Sequence, residues 1–214
     1  TSFVNAFINA GFGTDRLVTG PEIEAEESKS WIYKTKDHGL LSSVASIALL
    51  NLWNADNGLA QLDKYLYSEN PNIRAGAILG IGMVHSGTKN ESDPALALLR
   101  EYLEDSDKGG SDQTNAELPS ASAQSAVQQN PAVRIAALIG LALAYGGTAR
   151  EDVVESVVPL ISHDDISIAA FASLVVGHVF VGSRNGDYAS VILQSMMERD
   201  SEQLDKPAAR FLAL

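Results

Sequence analysis

The chain has 214 residues, enough for one large domain or two small ones, and its 15 Lys plus Arg against 27 Asp plus Glu give a formal charge of −12. That sign is wrong for a surface that must neutralise phosphates, so nucleic acid is excluded as the leading partner. With 45% hydrophobic residues the chain can offset its own conformational entropy and fold, and with no cysteine it has neither a disulfide framework nor a thiolate zinc site. That cysteine usage fits a reducing compartment, cytoplasm or nucleus. No apolar stretch approaches the roughly 20 residues that cross a bilayer, so no membrane partner is expected.

In chain order, the first element expected is an apolar capping helix within Phe3 to Gly13. It leads through an exposed acidic loop, Gly20 to Ser28, into a connector from Trp31 to Gly39, and the three make up an N-terminal unit over residues 1–40. Residues 41–214 are then read as helical repeats. Arg74 to Thr88 aligns with Arg134 to Thr148 and with Ala169 to Ser183, and Leu41 to Trp53 is a weaker copy ahead of them. All three strong copies keep a small residue five before the terminal glycine: Gly82, Ala142 and Gly177. Gly147 to Gly182 is 35 residues and Trp53 to Gly87 is 34, but Gly87 to Gly147 is 60. The excess falls in the polar, low-complexity segment from about 108 to 130, which reads as a disordered insertion.

Each copy has the same grammar. An apolar, small-residue helix ends at Gly-Thr or Gly-Ser, and a polar loop and an amphipathic second helix follow. The second helices are expected at about Asn57 to Tyr67, Pro94 to Glu104, Asp152 to Ile161 and Asp187 to Glu202. A helix that is apolar all round must be buried all round, so inner and outer helices alternate. Gly76, Gly80, Gly82 and Gly140 each cost about 1 kcal/mol of helix propensity relative to alanine, which points to inner helices packed at close range in a curved array. Buried strands are the competing reading of such apolar runs; the alanine content, the length and the amphipathic partners favour helices. Pro207 to Leu214 reads as the opening of another helix, and with a start at Thr1 and no leader the chain reads as an excised piece of something larger.

The chemical motifs are weak. His38, His85, His163 and His178 show no ligand spacing, and His85 and His178 read as hydrogen-bonded structural residues. Gly87-Thr-Lys89 lacks the order of a phosphate loop, and Asp164-Asp165 has no third aspartate at helical spacing. Trp31 and Trp53 read as core or seam residues. No metal and no cofactor are expected.

Four motifs do carry a resemblance: Lys36-Asp-His-Gly39, Gly58-Leu-Ala-Gln-Leu-Asp-Lys-Tyr-Leu66, Asp93-Pro-Ala-Leu-Ala-Leu-Leu99 and Asn185-Gly-Asp187. With these, nearly the whole chain outside the insertion resembles the large non-ATPase scaffold subunit of the proteasome regulatory particle. The resemblance implies an all-α solenoid or toroid of proteasome/cyclosome repeats with inner and outer helices. It implies a non-catalytic docking scaffold for ubiquitin, for shuttle proteins with ubiquitin-like domains and for a ubiquitin-specific protease, in contact with the proteasomal ATPase subunits.

Carried over by position, the resemblance puts the acidic determinants of the ubiquitin site at Asp187, Gln194 and Glu198. Gln194 stands where some members have an acid, and keeps hydrogen bonding while losing a charge. On an ideal helix, offsets of 7 and 11 residues return to within about 20° of the starting direction, so the three form one stripe. Val191 and Met197 are the apolar candidates beside it, Ser201 and Glu202 are expected to extend it, and Asp164, next to His163 and Asp165, supplies charge from the preceding repeat. Asp187 is also read as the N-cap of its helix. A second site, for the protease, is sought on the 57–67 helix with Asp63 facing out. The competing readings are an α/α-toroid enzyme with a site in its central cavity and a helical-repeat scaffold without a ubiquitin role.

Overall fold

The structure, a computed structural model, describes residues 1–19, 30–88, 92–103 and 130–213. The expected acidic loop and all but the last residue of the expected insertion lie outside the described residues. Every regular element among the described residues is helical. They are α1 (Ser2–Ile8), α2 (Trp31–Lys34), α3 (His38–Leu50), α4 (Ala55–Leu66), α5 (Pro71–Val84), α6 (Pro94–Arg100), α7 (Pro131–Tyr145), α8 (Glu151–Val154), a 3-10 turn Val158–Ser162, α9 (Ile166–Val179), α10 (Gly186–Met197), α11 (Ser201–Leu204) and a second 3-10 turn, Pro207–Leu212.

The inner helices start and stop for local reasons. Asn70 and Asn130 precede a proline, and each side chain accepts the amide two residues on, at 2.9 Å from Asn72 and 3.0 Å from Ala132. An asparagine cap followed by proline at the first helical position satisfies one orphan amide and removes another. Just beyond α5, α7 and α9, Gly87, Gly147 and Gly182 take φ of +72°, +70° and +78°, the left-handed conformation that ends a helix cheaply only at glycine.

α3, α5, α7 and α9 lie side by side as the inner row, and α4, α6, α8 with the first 3-10 turn, and α10 pack along its outer side. Ile78, Ile81, Leu138 and Leu141 are fully buried in the core that runs through the row. The expected close approach is real: a Cβ at Gly82 would overlap the Cα and carbonyl oxygen of Gly140, and one at Gly76 would lie 2.6 Å from the carbonyl oxygen of Leu41. α1 caps the row by packing Phe3 and Ala6 on Leu49 and Leu50.

Several expectations need correction. The third outer helix, expected from Asp152 to Ile161, is α8 plus a 3-10 turn. Pro159 has no amide for the carbonyl of Glu155 and its ring would clash there, so an α-helix cannot run through it. The helix expected to reach Glu104 ends at Arg100, with a turn to Leu103. The Pro207 segment is a 3-10 turn; it packs on the first half of α9, where Phe211 stacks on Phe171 at 5.2 Å. Trp31 is a seam residue as expected, its indole N–H donating to Ser2 at 3.2 Å, but Trp53 is not: it is 73% exposed, at φ +70° in the turn after α3. His85 is buried and bonded through Nδ1 to the carbonyl of Ile81 at 2.8 Å, whereas His178 is exposed beside Gly146.

One polar cluster ties two repeats together. Asp93, at φ +44° before α6, accepts from the Tyr145 hydroxyl and from Arg150, and Arg150 also grips Asp152. Burial, and then the hydrogen bond to Asp93, push the Tyr145 hydroxyl well above its ordinary pKa, so it remains a donor.

Candidate functional site

The sequence-derived site lies on α10, and the packing of α10 decides which side chains can serve it. Tyr188 tilts against Phe180 with ring centroids 4.5 Å apart, Ile192 rests on the main core, and Ser195 is buried. Ser195 donates to the carbonyl of Ile161 at 2.9 Å. Its neighbour Arg199 donates through Nη2 to the carbonyls of Ile161 and His163 at 2.9 and 3.0 Å. The inward face is therefore 188, 192, 195 and 199, a spacing of four, three and four that follows the helical period.

The same spacing, one residue earlier, gives 187, 191, 194 and 198. Asp187, Val191, Gln194 and Glu198 are all exposed, and the expected stripe exists. Gln194 Nε2 donates to Glu198 Oε1 at 2.9 Å, so the glutamine holds the carboxylate in place. Among the described residues no cation pairs with Asp187, Glu198, Glu202 or Asp164. Met197, 88% exposed, adjoins the stripe on the side of the helix opposite the core, and Leu193, 59% exposed, lies beyond Met197 on the far flank. Leu193 was missed by the sequence reading. Its signal was its place four residues before Met197 on the outer face of an amphipathic helix.

Two expectations fail locally. The N-cap is Asn185, whose side chain accepts the amide of Asp187 at 3.0 Å; Asp187 sits in the first turn, where its charge meets the positive end of the helix dipole. The helix also stops short of Glu202. Met197 is its last residue, and Asp200, extended at ψ 151°, opens the separate single turn α11. Ser201 and Glu202 are exposed on that turn and do not prolong the stripe.

The structure brings Asp164 to the same place as Glu198. Both line a cleft of about 200 Å³ with Ser162, His163, Ser195, Arg199 and Gln203. Among the described residues the Asp164 carboxylate makes no hydrogen bond or ion pair, unlike the side chains of its two neighbours. Asp165 is the N-cap of α9, accepting from Ser167 at 2.8 Å, and His163 Nδ1 accepts the amide of Asp165 at 2.9 Å. Asp63 is exposed on α4, as expected for the second site. A larger cavity of about 360 Å³, lined by Gly13, Tyr33, Gln61, Lys64 and Tyr65 among others, lies under the N-terminal segment, and no sequence-derived site residue reaches it. Among the described residues no three or more His, Asp or Glu side chains could jointly hold a metal ion, and no helix is long and apolar enough to cross a membrane. Such a face offers shape, apolar contact and negative charge.

Comparison with known proteins agrees with the repeats. The family described as Proteasome/cyclosome repeat matches residues 76–110. The 26S proteasome regulatory subunit rpn1 of Schizosaccharomyces pombe is 42% identical over all of the chain, and rpn-1 of Neurospora crassa is 37% identical over 99% of it. The 26S proteasome non-ATPase regulatory subunit 2 of Dictyostelium discoideum is 36% identical over all of it. The chain spans about one fifth of the length of these relatives, 21% of each. Unbroken similarity on that scale, together with the repeat match and the two-row helical architecture, means that the chain belongs to the family of large non-ATPase regulatory subunits of the 26S proteasome.

Proposed function

We propose that this chain is a non-catalytic docking segment of the proteasome regulatory particle, and that the outer face of α10 receives ubiquitin and the ubiquitin-like domains of shuttle proteins. One observation carries the reading: exposed Val191 stands on the same helix face as the carboxylates of Asp187 and Glu198, with exposed Met197 on the adjoining face and Asp164 lining one cleft with Glu198, and none of the three carboxylates is paired with a cation among the described residues. Ubiquitin-type folds present an apolar patch ringed by Lys and Arg, and this face is its complement in both respects. Contact through one helix and a neighbouring turn is small, so the affinity is of the order of micromolar or weaker, which suits a receptor that must release its cargo. By the same family argument, the exposed face of α4 around Asp63 is the place for a ubiquitin-specific protease. Contacts with proteasomal ATPase subunits and residence in cytoplasm and nucleus follow from membership of the particle.

The test is a titration of isotope-labelled chain with ubiquitin. Resonances of 187–198 and Asp164 should shift, and Glu198→Arg should weaken binding about fivefold to tenfold, since it replaces attraction by repulsion at the rim. Raising the salt should weaken the wild-type contact modestly, because exposed charges are screened. Ubiquitin binding that survives Glu198→Arg unchanged would overturn the assignment.

A further inference from the structure

A carbonyl contact that the second strong copy makes from its inner helix comes from elsewhere in the third. Each strong copy begins at an aligned position occupied by Arg74, Arg134 and Ala169. Arg74 and Arg134 are buried at the start of their inner helices, and Arg134 Nη2 reaches back to donate to the carbonyl of Leu103, at the end of the preceding outer element, at 3.3 Å. In the third copy the position is Ala169, fully buried and unable to donate. The corresponding end, the 3-10 turn that closes at Ser162, is instead held by Arg199, through the carbonyls of Ile161 and His163. The carbonyl clasp that Arg134 makes from its inner helix is thus moved, in the next repeat, to the end of α10.

The move changes what the clasp controls. Arg134 ties an inner helix, already locked by backbone contact with its neighbours, to an outer element. Arg199 ties down α10, which buries only Ser195 completely, and Ser195 bonds to the same carbonyl of Ile161. Lacking a carboxylate partner among the described residues, Arg199 directs its charge-assisted bonds at backbone carbonyls, with one long contact from Nη1 to Gln203 at 3.4 Å. Bonds from charged donors are the stronger class, and two carbonyls on one guanidinium fix direction as well as distance.

We propose that Arg199 is the positioning residue of the docking face: it sets the pose of α10 on the 3-10 turn, and so places Glu198 against Asp164 at the cleft, without itself needing to touch the visitor. This rests on the docking reading above, and the experiment separates the two. In Arg199→Gln, amide exchange in 186–197 should rise about tenfold while α5 and α7 keep their protection, and ubiquitin affinity measured on α10 should fall about fivefold. Arg199→Lys, which keeps the charge and can still reach a carbonyl, should recover part of both. Wild-type exchange in α10 of the glutamine variant, or a loss of protection spread evenly through α5, α7 and α9, would overturn the inference. If ubiquitin shifts nothing on α10 in the wild-type chain, the docking reading falls, and the exchange result still decides whether Arg199 pins the helix.

Discussion

In the middle of the inner row, α5 and α7 meet backbone to backbone at Gly82 and Gly140, whereas at the far edge the repeat-equivalent glycine, Gly177 of α9, has no heavy atom within 4 Å of where a Cβ would stand. The two glycines hold the same position in two copies of the repeat. At Gly82 the missing side chain lets a neighbouring inner helix approach; at Gly177 none of the described residues of this chain, which spans about one fifth of its relatives' length, provides such a neighbour, and the Pro207–Leu212 turn packs on the first half of α9, around Ile166 and Ala170. A small residue in the repeat thus records the possibility of close packing, and the neighbour decides whether it is used.

Substitution tests that comparison most severely at Gly82. Alanine there gains about 1 kcal/mol of helix propensity but must push two backbones apart in a close-packed core. Overpacking of this kind typically costs about 1–3 kcal/mol and at backbone contacts more, so Gly82→Ala should destabilise the chain by about 2 kcal/mol in urea unfolding. Gly177→Ala meets nothing, keeps the propensity gain, and should stabilise the same chain by about 0.5–1 kcal/mol. Opposite signs from one substitution at one repeat position is the claim; two shifts in the same direction would break it.

The sequence announced the inner helices because total apolarity, a fixed glycine and a 34–35-residue period all agreed there. The choice of Asp187, Gln194 and Glu198 came from the family resemblance, and their common face from spacing, since positions 7 and 11 apart share a helix face. Helix ends were harder. Asn185 and Asp187 compete for one cap, and only the backbone conformation shows that Asn185 takes it. The break at Asp200 has no proline or glycine to mark it, whereas Pro159 marks the break in the third outer element. The pairing of Asp164 with Glu198 across one cleft, and of Arg199 with two carbonyls, depends on tertiary contacts more than thirty residues apart in sequence, which no local periodicity encodes.

The smallest expected effect belongs to the cluster at the junction of α6 and α7, where charge and not packing joins two repeats. The hydrogen bond from Arg150 holds the Asp152 carboxyl below its ordinary pKa against the opposing effect of burial, and Asp93 takes the other arm of the guanidinium. A depressed carboxylate stabilises the fold above its unfolded pKa, about 3.9, and loses that contribution as the pH falls through the lower folded value. Both partners are partly solvated, so the pair is worth less than about 1 kcal/mol, or about 1–3 °C in a chain of this size. Arg150→Met should therefore melt slightly below the wild type at pH 7, and the gap should shrink progressively as the pH falls below about 3.9, closing only beneath the depressed folded pKa. A gap of unchanged size in acid would instead assign the effect to the guanidinium lying 5.1 Å over the Tyr145 ring, a contact that does not depend on either carboxylate.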